Sequence, residues 1–146
     1  MKISKTDLSK RLRHMWPGLA DALPNPANIF LADTDYWLMS KVDIVSVVLS
    51  QFIDKYEQVL NGMDCDDKSL LLHAFVVQER YRKMKAEGQS AWLSYAFGQC
   101  WGTKLHGDDI SHAVNIAVTP DSIMLIDGKR IWEANGEEDD PYFIRF

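Results

Sequence analysis

The sequence predicts an α+β fold: N-terminal helices, the last of them a central helix bearing Cys65, packed on a C-terminal antiparallel sheet. Three observations predict it. Apolar residues recur at three- and four-residue spacing as far as Ala86-Glu87-Gly88, and from Trp92 onward they give way to short apolar and aromatic runs. Turn residues such as Pro120-Asp121 separate those runs. With 146 residues, 47% hydrophobic and 25% charged, the chain has the make-up of a single domain, residues 1–146, large enough to bury a core.

The first helix is expected from Thr6 to Trp16. Thr6 or Ser4 can cap it, Leu8, Leu12 and Met15 share a face, and Pro17-Gly18 ends it. Pro24-Asn25-Pro26 reads as a turn and Ile29 to Leu31 as a short edge strand. Ser40 with Asp43 resembles a capping box with a shorter acid. It opens a second helix in which Val42, Val45, Leu49, Phe52 and Tyr56 recur on one face, ending near Asn61-Gly62. The third helix begins at the Asp64 segment, whose short side-chain oxygens suit the first free N–H groups. Leu70, Leu71, Ala74 and Val77 make one face of it; Leu72 and Val76 lie opposite, on the side of Cys65, the pattern of a central helix. Strands are then expected from Tyr95 to Thr103, His112 to Val118 and Ile123 to Asp127, an antiparallel meander with the polar connection His106-Gly107-Asp108-Asp109. Arg130-Ile131-Trp132 and the tail from Pro141 to Phe146 supply a further strand at its edge.

The formal charge of −5 comes with only scattered pairs and triplets of Lys and Arg, so nucleic acid is not an expected partner. No stretch approaches the roughly 18 consecutive apolar residues of a membrane span, and the first residues lack the apolar core of a signal peptide. A cytoplasmic protein with no membrane partner is expected. Two cysteines, Cys65 and Cys100, are too few for a disulfide scaffold, and a reducing compartment leaves Cys65 free; a Cys65–Cys100 bridge is the rival reading in an oxidising one.

Cys65 lies in Asp64-Cys65-Asp66-Asp67, in the first turn of a helix, where free N–H groups and the positive end of the dipole favour a thiolate and later an oxyanion. The three acids oppose that charge, so activation rests on His112 or on a cation they bind. In the hairpin around Pro120-Asp121, a two- or four-residue loop pairs Val118 with Ile123, Ile116 with Leu125 and Val114 with Asp127. His112 and Asp127 then share a face as diagonal neighbours about 7–8 Å apart at the backbone. Taken singly, each residue has a plainer reading: a buried small hydrophobe, a surface histidine, a turn aspartate. Their order and context together make Cys65 the candidate nucleophile, His112 the base and Asp127 the acid that orients it.

This arrangement resembles the transglutaminase-like and papain-like cysteine enzymes, in which a Cys starts a central helix and the His and acid lie on neighbouring strands. More narrowly, Asp64-Cys65-Asp66-Asp67, His112-Ala113-Val114-Asn115 and Leu125-Ile126-Asp127 resemble small phage-associated proteins and the cysteine-protease-like domain of a fungal agglutinin, over roughly Asp35 to Gly128. Those relatives tend to carry Phe-Ala where this chain has Lys68-Ser69 and Glu-Pro-Gln where it has Asp127-Gly128-Lys129. The resemblance implies a papain/transglutaminase-like fold with Cys65, His112 and Asp127 as its triad. It also implies that calcium supports activity, which gives Asp64, Asp66 or Asp67 a ligand role; the chain calls for no other cofactor.

Tyr36 and Trp37, upstream of the nucleophile, and Trp101 are candidate walls of the cleft. Cys65, His73, Cys100, His106 and His112 lack zinc-ligand spacing, and Gly98, Gly102 and Gly107 form no phosphate loop. The expected chemistry is cleavage or transfer at a peptide, isopeptide or related amide bond through a thioester, with a protein or peptide substrate as partner. The alternative is a catalytically silent, phage-encoded protein that binds or inhibits a host protein. A structural virion component is a third reading.

Overall fold

A computed structural model of the chain describes residues 1–20, 28–50, 64–89, 93–105 and 110–146. The expected turn at Pro24-Asn25-Pro26, the helix end near Asn61-Gly62 and the connection His106 to Asp109 lie outside the described residues. Strand β1 (Lys2–Ser4) runs directly into helix α1 (Lys5–Met15), because Ser4 is extended and its Oγ accepts the Asp7 N–H at 3.1 Å. Pro17, which cannot continue the helix, opens a 3₁₀ turn over Pro17–Ala20. Strands β2 (Ile29–Phe30) and β3 (Asp35–Trp37) follow, then α2 (Lys41–Ser50) and α3 (Cys65–Ala86). Ser40 caps α2 as expected, with its Oγ 2.6 Å from Asp43 Oδ2 and accepting the Asp43 N–H at 3.1 Å.

The remaining strands are β4 (Phe97–Lys104), β5 (His112–Val118), β6 (Ile123–Asp127), β7 (Arg130–Glu133) and β8 (Asp140–Arg145). One sheet has the order β2-β8-β4-β5-β6-β7, and β1 pairs with β3 apart from it. The β4-to-β6 meander is the expected one. The tail differs: only β7 adds at an edge, whereas β8 returns to pair antiparallel with β4 and carries β2 in parallel outside it. A meander leaves both edges unpaired; β7 satisfies one, and β8 satisfies the other. Gly98 is required at that seam, since a Cβ there would stand 2.0 Å from the Arg145 carbonyl oxygen.

The sheet is covered on both faces. Leu8, Leu12 and Trp16 of the α1 region pack on Cys100, Val114, Ile116, Val118, Ile123, Leu125 and Ile144. Ile44, Val47 and Val48 of α2 and Leu72 and Val76 of α3 pack on Phe97, Ala117, Met124 and Ile126. The face of α2 expected to be buried is the exposed one: Val42 is 78% exposed and Leu49 58%, while Ile44 and Val48 are each at 1%. The run Val42 to Leu49 offers apolar residues on two sides, and docking onto the sheet selects one of them. Phe52 and Tyr56 fall outside the described residues. In α3 the buried stripe is Ser69, Leu72, Val76, Arg80 and Met84, whereas Leu70 and Val77 are exposed, so the helix covers the sheet on one side only. Among the described residues no helix is long and apolar enough to cross a membrane.

Candidate active site

Cys65 is the first residue of α3. Asp64 caps the helix, its Oδ1 accepting the Asp67 N–H at 3.3 Å, so the chain turns into the helix at the cysteine. The long stripe that buries α3 against β4 and β5 then sets the direction in which its N-terminus points. Three successive residues of β5 hold that end. The Ala113 N–H donates to Cys65 Sγ at 3.3 Å, the Ser69 hydroxyl to the Val114 carbonyl at 3.1 Å, and the Asn115 amide to the Ser69 carbonyl at 2.8 Å and to that of Gly98 at 3.0 Å. Ser69 and Asn115 are fully buried, so their bonds form away from water. Sequence reasoning missed both as positioning residues. Ser69 was visible only as a polar residue where the resembling proteins tend to carry Ala, and Asn115 as a polar residue inside an apolar strand.

The β5–β6 hairpin has the expected parity, pairing Val118 with Ile123 and Ile116 with Leu125. Its ladder ends at Asn115 and Ile126, one step before the expected Val114–Asp127 pair. Beyond that end the strands part, and the Ala113 N–H is free of the ladder and meets the sulfur instead. Alternation places His112 with Val114 and Ile116, and Asp127 with Leu125, on the sheet face that packs on α1, while Cys65 arrives with the helix on the other face. Asp127, one residue past the end of the β5–β6 ladder, is common to both sides. His112 Nε2 lies 3.4 Å from Asp127 Oδ2 with both side chains 21% exposed, and Cys65 and Asp127 line one depression with Ser69, Ala113 and Gly128. Its enclosed space is about 10 Å³, room for about one water.

Asp127 is held from the other side as well. It pairs with Arg130 across the two-residue turn Gly128-Lys129, where Gly128 takes φ 58°, and its Oδ2 accepts from the Arg130 guanidinium at 2.5 Å. The acids around Cys65 do not gather as a calcium cage: among the described residues no group of three His, Cys, Asp or Glu side chains comes together as a metal site. The side-chain interaction between Asp64 and Asp66 instead holds Asp64 below and Asp66 above the ordinary aspartate value.

The aromatic residues expected as cleft walls are placed differently. Tyr36 is wholly buried in the α1-side core, its hydroxyl accepting the Asp33 N–H at 2.9 Å, so it walls no cleft. Trp37 lies in β3 with the Arg80 guanidinium 5.5 Å from its ring centre, away from the thiol. Trp101 sits opposite Ala113 on β4 and packs against Phe143. It is close to the site but outside the depression. Cys65 and Cys100 are both free thiols, Cys100 buried in the α1-side core and Cys65 on the helix of the other face, so no bridge joins them.

No family model matches the sequence. No curated protein matches it either. Solved structures do. A chain described as a PSL1a-E64 complex superposes with a TM-score of 0.70 at 20% identity, over 99% of this chain and 51% of that one. Polyporus squamosus lectin bound to the human-type influenza-binding epitope Neu5Aca2-6Galb1-4GlcNAc superposes with a TM-score of 0.61 at 16% identity, over 99% and 49%. In fold, the chain resembles a fungal agglutinin. It spans about half the length of those chains, and at these identities the likeness is one of fold. The expected architecture therefore stands as a mixed α/β fold with a large sheet. Two expectations are corrected. The neighbours are lectins and carry no link to a phage protein or a cysteine protease, and the partner named with one of them is a glycan, not a protein or peptide substrate.

Proposed function

We infer that the chain is a thiol-dependent hydrolase or acyl transferase with Cys65 as nucleophile, His112 as base and Asp127 as the acid that orients it. One observation carries the reading. A thiol at a helix N-terminus, held on the Ala113 N–H at 3.3 Å, lines one depression with Asp127, whose carboxylate lies 3.4 Å from His112 just past the end of the β5–β6 ladder. A helix that begins at the nucleophile and packs on an antiparallel sheet bearing the base and acid is also the layout of papain-like and transglutaminase-like enzymes.

With Nε2 of His112 facing Asp127, Nδ1 is left to take the thiol proton. The sulfur attacks a carbonyl carbon: the S–C bond forms while the C=O π pair moves onto oxygen, which the positive end of the α3 dipole favours. Collapse restores C=O and breaks the bond to the leaving amine, which takes the proton from His112. Water then gives a proton to His112, attacks the thioester and releases the acid and the thiolate; an amine in place of water completes a transamidation. A space of about 10 Å³ beside the thiol admits that water but not an acyl chain, so the substrate lies across the outer surface of the depression. The glycan named with the lectin neighbour contains two N-acylated sugars, and such amides are the substrates to try first.

The test is alkylation of the native protein by iodoacetamide and by E-64, an epoxide reagent for thiols, read by mass spectrometry. Reaction confined to Cys65 and slowed at least about tenfold in His112→Ala supports an activated nucleophile. A Cys65 that reacts no faster than a free thiol, unchanged in His112→Ala, overturns it. A second reading is favoured by the lectin neighbours: a silent module that binds a sialylated glycan. It requires glycan binding that survives Cys65→Ala.

A further inference from the structure

Arg80 is the one charged side chain of the buried stripe of α3, and it is only 4% exposed. Its Nε donates to the Leu93 carbonyl at 2.9 Å and its Nη2 to Gln89 Oε1 at 3.2 Å, and its guanidinium carbon lies 5.5 and 5.1 Å from the ring centres of Trp37 and Tyr95. Among the described residues no carboxylate pairs with it. A buried cation ordinarily has an anion beside it, because desolvation without one is costly. Carbonyls and aromatic faces offset part of that cost and leave the net charge unmatched.

Arg80 also lines a pocket of about 140 Å³, with Val76, Phe97 and Phe146 as apolar wall and His73 and Asp33 as further polar groups. An apolar cavity of about 150 Å³ holds a benzene ring. His73 stands eight residues beyond Cys65, about 12 Å along the helix at about 1.5 Å per residue. The pocket is thus separate from the thiol site. Burial and the nearby Arg145 keep the His73 imidazole below its ordinary range, so it enters as a neutral hydrogen-bonding group. Asp33 accepts the Ser94 hydroxyl at 2.5 Å and forms no ion pair with Arg80, so it opposes any second negative charge on a ligand.

We propose that this pocket binds a small apolar monocarboxylate, its ring or short chain against Val76, Phe97 and Phe146 and its carboxylate on the Arg80 guanidinium. Benzoate has the size and charge, benzyl alcohol the same size without charge, and phthalate a second carboxylate. Titrating the methyl-labelled protein with each, followed by NMR, tests the proposal. Benzoate is expected to shift the Val76 methyls saturably and to bind at least tenfold more tightly than benzyl alcohol or phthalate. Arg80→Met, checked for folding by near-UV circular dichroism, is expected to lose that preference. Benzyl alcohol binding as tightly as benzoate, or benzoate shifting no pocket residue, overturns the proposal. Every readout is ligand binding, and none depends on thiol activity.

Discussion

Arg130 donates to Asp127 at 2.5 Å through the same oxygen, Oδ2, that faces His112 Nε2 at 3.4 Å. That carboxylate oxygen is therefore shared between the Arg130 guanidinium and the His112 imidazole, and the exposed arginine holds the shorter contact. Arg130→Ala is expected to leave Asp127 to His112 alone and to speed Cys65 alkylation by about two- to fivefold. Its effect on stability should stay within about 1 kcal/mol, as for other exposed pairs. Asp127→Asn, which keeps the shape but replaces an acceptor oxygen by a donor, is expected to slow alkylation at least about tenfold. Equal rates in all three proteins would remove Asp127 from the mechanism.

The ties between α3 and β5 should be measurable as stability. Ser69→Ala removes one buried hydrogen bond and is expected to cost about 1 kcal/mol. Asn115→Ala leaves the carbonyls of Ser69 and Gly98 without their donor and is expected to cost about 2–3 kcal/mol. Urea midpoints at constant slope give both values, and an Asn115→Ala loss smaller than that of Ser69→Ala would contradict the role given to the amide.

Cys100 serves as an internal reference for the thiol chemistry. Burial, with Asp139 adding to it, pushes its thiol far above the ordinary range, and no part of the side chain reaches solvent. Iodoacetamide should therefore modify one cysteine in the native protein and both in denaturant, which intact-mass spectrometry counts directly.

Stability should fall as the solution is acidified through the histidine range. Burial holds His73 below its ordinary value, so near pH 6.5 the unfolded chain takes up a proton that the folded chain refuses. The contribution is fully present above about pH 6.5 and is lost as pH falls toward the lower folded value. Asp43, held down first by the Ser40 hydroxyl and further by Lys83, acts in the same direction only below about pH 3.9. His73→Gln should flatten melting temperature against pH between about 5 and 6.5 and leave the acid limb in place. An unchanged profile would place the titrating group elsewhere.

What could be read along the chain was what neighbours in sequence decide. The bounds of β5 and β6, the parity that puts His112 and Asp127 on one face, the Ser40–Asp43 cap and the stop at Pro17 all follow from alternation, turn length and unpaired N–H groups. The candidate site was legible as residue types in a chain order. Ser69 and Asn115 were not, because a hydroxyl or an amide inside an apolar element signals nothing until its partner on another element is known. Tyr36 was misplaced for the related reason that an aromatic beside acids suits a cleft and a core equally.

The sequence by itself determined three strands of the meander, the cap-bounded starts of the helices and the pairing parity of the hairpin, since covalent geometry and local hydrogen bonding set those within a few residues. Only the tertiary structure decided which apolar face of α2 is buried, that β8 crosses to the β4 edge, that Arg80 is enclosed with no carboxylate paired to it among the described residues, and that the Cys65 sulfur reaches the Ala113 N–H where the β5–β6 ladder ends. Each of these is a choice between local arrangements of similar energy. The balance is settled by how much apolar surface the assembled layers remove from water and by which backbone groups the neighbouring strands leave unpaired.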